Sequence, residues 1–202
     1  MPNKDMPLGL RPVRHRNGAP YNAAVNYYLV DAAYATNLFV GDCVTRTGSA
    51  NTAEVEAPGA GHFKIGTLPT VEKTAAGTGN AITGVIVGVA PDPNGLERTY
   101  SPASTQAVIA VCDDPDIIFE AQCSATLAPA DVGQNGNLIY TEDGSTQYGT
   151  SGTEMSGTTA TTAAHQLRFL RFVNRDDNDP EEVNAKVLVM INNHTERAGA
   201  GI

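Results

Sequence analysis

The sequence has no tryptophan, few other aromatic residues and few charges for its length. Of its 202 residues, 6% are aromatic and 17% are charged, against about 25% charged residues in an average globular domain. Sugar-binding clefts are usually lined with aromatic side chains, so this scarcity disfavours a glycosidase or a carbohydrate-binding module. A coiled coil is also disfavoured, because it needs sustained heptads rich in Leu, Glu and Lys. The 41% of hydrophobic residues argues equally against a disordered chain.

Long apolar runs and motif cysteines are also lacking. No run approaches the roughly 18 residues of a transmembrane helix, and the first residues lack the apolar core of a signal peptide. We therefore expect a protein made in the cytoplasm. Cys43, Cys112 and Cys123 are widely spaced and form no C-x-x-C pair, which gives a zinc or redox site no support. We expect all three to be buried and unpaired, as small apolar side chains.

Catalytic signatures are missing as well. The sequence contains neither the G-x-S-x-G nucleophile elbow nor a complete phosphate-binding glycine motif. Its densest carboxylate segment, 174–184, has enough oxygen atoms for Ca²⁺. Pro180 and Glu181 break the EF-hand template there, so we interpret the segment as a solvated acidic turn and leave metal binding open. The sequence therefore predicts no enzyme activity and no cofactor, and it assigns no metal-binding residue.

Charge is unevenly distributed along the chain. The net charge is −9, yet residues 1–16 carry +3 and the remaining residues −12. An acidic body disfavours nucleic-acid binding, because phosphate contacts need clustered Lys and Arg. A basic terminus on such a body is typical either of a solubilising tail or of a segment that meets an acidic partner or a second subunit.

Residues 1–37 are predicted to form an extended N-terminal arm. Prolines at positions 2, 7, 12 and 20 exclude helix interiors. Four of the seven tyrosines lie between residues 21 and 34, together with several large aliphatic residues. A free tail would not expose so much apolar surface. We expect the arm to lie against its own body, a sister subunit or another protein.

Residues 38–202 are predicted to form a mainly β body, a small β-barrel or β-sandwich of about seven short strands with long loops. Short apolar runs alternate with clusters of Gly, Pro, Asn and Asp. Segments 106–112 and 117–123 look like one hairpin around an acidic turn, and 166–173 and 185–191 like another. The last strand is apolar on both faces, which favours a central position. Residues 142–164, dominated by Gly, Ser and Thr, are interpreted as a long, flexible surface loop or a β-arm.

Three segments resemble small structural proteins of tailed-bacteriophage heads. Residues 9–22 (GLRPVRHRNGAPYN) resemble the start of such proteins, and residues 167–177 (LRFLRFVNRDD) and 185–194 (AKVLVMINNH) resemble their end. The middle, 108–137, is similar in layout. The likeness covers most of the chain loosely and its first 22 residues more closely.

This resemblance implies a capsid decoration (cement) protein, β-rich and often trimeric, that binds the outer surface of the major capsid protein lattice and stabilises the virion. Attachment to a capsid or a neighbouring subunit would use the arm, because Arg and Tyr are frequent interface anchors. The residues predicted to make these contacts are Leu10, Arg11, Pro12, Arg14, Arg16, Tyr21, Tyr27 and Tyr28. No nucleic-acid or membrane partner is expected. The alternatives are a head-fibre, vertex or tail component, or a host-surface or glycan-binding adhesin with its tip at 142–164.

Overall fold

The computed structural model describes residues 2–93 and 95–197. Within these ranges the chain forms thirteen β-strands and two short 3₁₀ turns, with no α-helix. The strands are β1 (Arg11–His15), β2 (Asn26–Val30), β3 (Cys43–Ala50), β4 (Val55–Ala57), β5 (Gly61–Phe63), β6 (Pro69–Lys73), β7 (Gly84–Val89), β8 (Ala107–Cys112), β9 (Ile117–Gln122), β10 (Asn135–Tyr140), β11 (Thr153–Ala160), β12 (Leu167–Phe172) and β13 (Lys186–Ile191). The 3₁₀ turns are Pro129–Asp131 and Thr195–Arg197.

The strands divide into a closed barrel and an open sheet. The barrel has the order β2-β6-β3-β7-β8, and the six-stranded antiparallel sheet has the order β1-β9-β13-β12-β10-β11. Strands β4 and β5 form a separate hairpin. A bridge between Cys123 and Met155 brings β11 to the end of β9, so that the open sheet curls towards closure. The mainly β prediction is confirmed. Instead of the predicted single body of about seven strands, the structure has two units, the closed barrel and the open sheet.

Strand β13 confirms the predicted C-terminal hairpin and its central last strand. It pairs with β12 on one side and β9 on the other. Its residues Val187–Ile191 are apolar throughout and buried, because one face meets the main core and the other meets a second apolar cluster. A strand that is apolar on both faces needs cover on both sides, which explains its central position.

The predicted hairpin of segments 106–112 and 117–123 is wrong. Strand β8 belongs to the barrel, where β2 and β7 occupy both of its edges. Strand β9 belongs to the sheet and pairs with β1 and β13. The intervening acidic turn carries the chain from one unit to the other. Hydrophobic pattern identified both strands correctly, but it does not specify which partners their backbone groups find.

Residues 2–37 lie on the body rather than projecting from it. Strand β1 pairs with β9, and β2 is a barrel strand. Near β1 the chain crosses the barrel so closely that a Cβ on Gly9 would lie 2.4 Å from the Gly41 carbonyl oxygen. The Leu10 amide donates a hydrogen bond to that same carbonyl (3.0 Å). Several apolar residues of this segment, Leu10 and Tyr28 to Val30 among them, are thus buried within their own chain, whereas Met6 and Val13 stay exposed.

The segment 142–164 is only partly a loop. Strand β11 occupies its second half and pairs with β10, and its Met155 is fully buried. Closely spaced Thr residues suit a strand because they are β-branched. The low complexity of the segment therefore reflects a small-residue strand preceded by a loop at 141–152.

A buried ion pair joins the barrel to the sheet. The Asp42 carboxylate is fully buried and lies 3.0 Å from the Lys73 ammonium group. It also accepts hydrogen bonds from the hydroxyls of Ser151 (2.7 Å) and Thr153 (3.0 Å), which enter from the sheet side. The Lys73 ammonium lies 4.4 Å from the ring centre of Tyr140 in β10. Three of these side chains, those of Lys73, Ser151 and Thr153, satisfy the one buried carboxylate, as a buried charge requires.

The three cysteines are buried and unpaired, as predicted. Burial raises the pKa of Cys112 to about 11 and that of Cys123 to about 11. A thiol with so high a pKa is protonated at neutral pH and is a poor nucleophile. These side chains therefore act as core residues.

Candidate interaction surface

The six-stranded sheet has one face in the core and one face towards solvent. Along β9, Ile117, Phe119 and Ala121 point into the main core cluster. The alternate residues Ile118 and Glu120 point the other way, because side chains alternate along a strand. The strand registers then place arginines from two further strands on this outer face.

Two cross-strand rows define the outer face. In the first row, Arg11 of β1 lies beside Glu120, then Leu188, then Arg171 of β12. In the second row, Arg14 lies beside Ile118, then Met190, then Arg168. Each row thus begins and ends with an arginine. The middle of the second row is apolar, and that of the first row holds Leu188 beside Glu120. We call these eight residues the arginine face: Arg11, Arg14, Ile118, Glu120, Arg168, Arg171, Leu188 and Met190.

The centre of the arginine face is an apolar strip. Ile118, Leu188 and Met190 pack with Val173 and with the partly buried Leu170. Their exposed fractions are only 5–8% although they lie on the outside of the sheet. Arginines border the strip on both sides, and their methylene stems are long enough to shield it while the guanidinium groups stay in water. A partner that displaces these side chains gains access to apolar surface.

One carboxylate on the arginine face, that of Glu120, is neutralised by an arginine of the same chain. Arg175 donates two parallel hydrogen bonds to Glu120, both of 3.0 Å, and a third to Asp177 (3.0 Å). Hydrogen bonds from Lys186 and Arg175 lower the pKa of Asp177 to about 2. Within the described ranges, no hydrogen bond or ion pair engages the side chains of Arg11, Arg14 or Arg171. The positive charge of the face is therefore left uncompensated at its edges.

A hollow of about 90 Å³ lies at one end of the face, lined by three arginines. The Arg168 guanidinium is held by two neutral amides, Asn135 (3.1 Å) and Asn192 (3.1 Å). Arg197 binds the Pro115 carbonyl (3.0 Å) and the Asp116 carboxylate. The third arginine, Arg16, is exposed, and its side chain contacts no hydrogen-bonding partner among the described residues. We call Arg16, Arg168 and Arg197 the basic hollow.

The residues predicted to bind partners separate into two groups. Arg11, Pro12, Arg14 and Arg16 lie on or beside edge strand β1 and border the arginine face. Leu10 and Tyr28, in contrast, are 1% and 2% exposed and belong to the core.

The predicted tyrosines contribute to the body of the protein. The Tyr28 hydroxyl donates to Asp113 (2.7 Å) and accepts from Arg46 (3.0 Å). Tyr27 packs against Phe63 of β5, with ring centres 5.7 Å apart, and the Tyr21 hydroxyl donates to the Ala24 carbonyl (3.2 Å). Burial raises the pKa of both Tyr21 and Tyr28 to about 12.

Sequence reasoning missed the arginines contributed by the C-terminal half, namely Arg168, Arg171, Arg175 and Arg197. A signal existed for the first two, because residues 167–172 read LRFLRF and place arginines between apolar residues of one strand. Their proximity to Arg11 and Arg14 carried no local signal. It depends on the long-range pairing of β1 with β9 and of β9 with β13.

Among residues 2–93 and 95–197, no three His, Cys, Asp or Glu side chains are grouped so as to hold a metal ion. In the acidic segment 174–184, Asp177 is paired with Arg175 and Lys186, and Asn178 bonds to the backbone of residues 173 and 186. No helix in the described ranges is long and apolar enough to span a membrane.

The fold and the surface together define an all-β protein made of a closed barrel and a curled sheet, whose outer sheet face is bordered by arginines. Comparison with protein-family models, with curated proteins and with solved structures finds no match for this chain.

Proposed function

We propose that this protein is a structural virion protein that decorates and stabilises the head of a tailed bacteriophage, and that it binds the outer surface of the major capsid protein lattice. The arginine face is the attachment surface, and the protein acts as a homo-oligomer, with a trimer expected. It resides on the outside of the capsid after synthesis in the host cytoplasm.

The observation that carries this proposal is the pair of cross-strand rows that end in arginines and enclose the apolar strip of Ile118, Leu188 and Met190. Interface cores are depleted in charge but enriched in Arg and aromatic or apolar anchors, and a few such anchors supply most binding energy. Three strand spacings of about 4.8 Å make the face about 14 Å wide, a size suited to one site among many. Repetition over a lattice then converts modest single-site affinity into firm attachment.

The segments that carry the family resemblance also support the proposal. They lie far apart in the sequence, at 9–22, 108–137, 167–177 and 185–194, yet they contain β1, β9, β12 and β13. These four strands are neighbours in the sheet and provide every residue of the arginine face. The resemblance thus coincides with one continuous surface. The net charge of −9 favours a protein partner over nucleic acid.

The test is cosedimentation of purified protein with capsids of the phage that encodes it. Removing residues 1–22 would strip β1 from the sheet, so a point change is cleaner. The variant Arg14→Glu leaves the core intact and should cost about 2 kcal/mol of binding, roughly a thirtyfold loss of affinity. The matched control is Lys64→Glu, which makes the same charge change at an exposed site outside the face.

Two results would contradict the proposal. Undiminished binding by Arg14→Glu would remove the arginine face from the interface. A copy number of only a few per virion, out of proportion to the capsid lattice, would instead favour a vertex or tail component.

A further inference from the structure

A second hollow, of opposite charge, lies at the far end of the same sheet. It has a volume of about 350 Å³ and is lined by Asp5, Glu142 and Asp143 together with Pro7, Ser145, Thr150, Ser151 and Gly152. We call Asp5, Glu142 and Asp143 the acidic hollow. Like the basic hollow, it opens to solvent.

Strand β9 fixes the separation of the two hollows. Just before its first residue, the Asp116 carbonyl accepts a hydrogen bond from the Arg16 amide (2.7 Å), and the Asp116 carboxylate pairs with Arg197. At its last residue, the Gln122 amide donates to the Asp5 carboxylate (2.7 Å). Six residue steps of about 3.4 Å, from Asp116 to Gln122, put these ends about 20 Å apart. The basic and acidic hollows therefore lie at opposite ends of the molecule's sheet.

The acidic hollow is held in a defined shape by close backbone packing. A Cβ on Gly152 would lie 2.3 Å from the Glu142 carbonyl oxygen, and one on Gly144 would lie 2.1–2.5 Å from the Phe39 ring. The loop is closed by a hydrogen bond from the Ser145 amide to the Thr150 carbonyl (2.8 Å). Preorganised charges lose less entropy on binding than mobile ones.

Most charges in the two hollows lack a partner of opposite sign among the described residues; the exception is Arg197, which pairs with Asp116. No cation within the described ranges pairs with Glu142 or Asp143, and the hydrogen-bond donor to Asp5 is the neutral amide of Gln122. In the basic hollow, the Arg168 guanidinium is bound by two neutral amides. The Arg16 side chain has no hydrogen-bonding or ionic partner within the described ranges. Each hollow offers the charges that the other lacks, and the guanidinium fork suits carboxylate oxygens.

We propose that two copies of this chain associate head to tail, with the acidic hollow of one copy seated on the basic hollow of the next. Each copy then uses one hollow of each sign, which makes the interface heterologous. Such contacts produce a ring if the rotation closes and an open chain if it does not. This inference rests on the homo-oligomeric part of the proposed function and assigns its contact surfaces.

Two complementary variants test the geometry. Arg16→Glu breaks the basic hollow at a side chain with no internal partner, and Asp143→Lys breaks the acidic hollow at an exposed loop residue. Light scattering coupled to size-exclusion chromatography at low ionic strength should give a multiple of the 21.1 kDa chain mass for the wild-type protein. Each variant alone should associate about tenfold or more weakly, since like charges are placed face to face.

Mixing the two variants distinguishes a head-to-tail contact from other modes of self-association. Arg16→Glu keeps a working acidic hollow and Asp143→Lys keeps a working basic one, so their equimolar mixture should form a discrete pair of one copy each. The double variant R16E/D143K, with the two charges exchanged, should regain self-association. Lys64→Glu serves as control and should behave as the wild-type protein does.

Several outcomes would overturn the inference. These are a wild-type protein that stays monomeric at low ionic strength and high concentration, variants that associate normally, or a mixture that forms no pair. Capsid cosedimentation of the same samples separates this result from the proposed function. Capsid binding without self-association would refute only the head-to-tail contact, and self-association without capsid binding would refute only the decoration role.

Discussion

The barrel and the six-stranded sheet are built from similar short strands, but they dispose of charge in different ways. At the barrel, the Asp42–Lys73 pair turns inward and is satisfied there. In the sheet, arginines stand on the outer face, and several have no carboxylate partner within the described ranges. The barrel has no free edge, whereas the sheet ends in the edge strand β1. We infer that the barrel mainly contributes stability and the sheet mainly contributes contact surface.

The largest loss of stability is expected when the buried Asp42–Lys73 ion pair is broken. Changing Asp42→Asn keeps the volume but leaves the Lys73 charge unpaired in a site where its side chain is only 16% exposed. Breaking a buried pair costs about 3–5 kcal/mol, and we expect the free energy of unfolding to fall by about 3 kcal/mol. Chemical denaturation measures this, with the exposed Asp176→Asn as control. A loss below about 1 kcal/mol would show that the pair does not lock the barrel to the sheet.

A smaller loss of stability is expected when a methyl group is added at Gly144, in the loop beside the barrel. In Gly144→Ala the new Cβ would meet the Phe39 ring, which is stacked on Tyr100 with ring centres 5.3 Å apart. Overpacking of this kind costs about 1–3 kcal/mol. Gly88→Ala is the matched control, because its nearest atom would be 3.7 Å away. Equal thermal midpoints for the two variants would contradict the close approach.

The junction between barrel and sheet should respond to pH through His194. This side chain is 1% exposed, and burial lowers its pKa from the ordinary value of 6.5. Glu196, Arg197 and Asp113 are the charged groups that act on it. The unfolded chain binds the proton more readily, so stability is fully present above pH 6.5 and is lost as the pH falls towards the lowered folded value.

Denaturation curves at a series of pH values check this expectation. The variant His194→Gln should lose the part of the pH dependence that begins just below 6.5. It should keep the part at more acidic pH, where Asp177 loses its contribution as the pH falls below its ordinary pKa of 3.8. A wild-type curve that stays flat as the pH falls from 6.5 to the acidic range in which Asp177 titrates would argue against a neutral buried imidazole.

The smallest effect on stability is expected on the arginine face itself. Glu120→Gln removes the carboxylate that Arg175 holds, and exposed ion pairs contribute only about 0.2–1 kcal/mol. The unfolding free energy should therefore change little, while binding to an acidic partner should strengthen because one negative charge is gone. Weaker capsid binding by this variant would indicate that Glu120 itself contacts the partner.

Parts of the fold could be predicted from local pattern. The apolar β13, its hairpin with β12 and the burial of all three cysteines follow from residues that are close in sequence. The pairing of β8 and the membership of β2 in the barrel could not be predicted this way. Barrel closure requires that β2 meet both β8 and β6, and nothing in residues 26–30 identifies those partners.

For the candidate surface too, some features follow from the local sequence and others only from the tertiary structure. The sequence by itself determined that the chain is mainly β, that its body is acidic and that residues 1–16 are basic, because composition and alternation are local properties. Only the tertiary structure decided that Arg11 and Arg14 share a face with Arg168 and Arg171, and that Leu10 and Tyr28 are buried. Those outcomes depend on backbone pairing between strands more than a hundred residues apart, which short-range pattern does not encode.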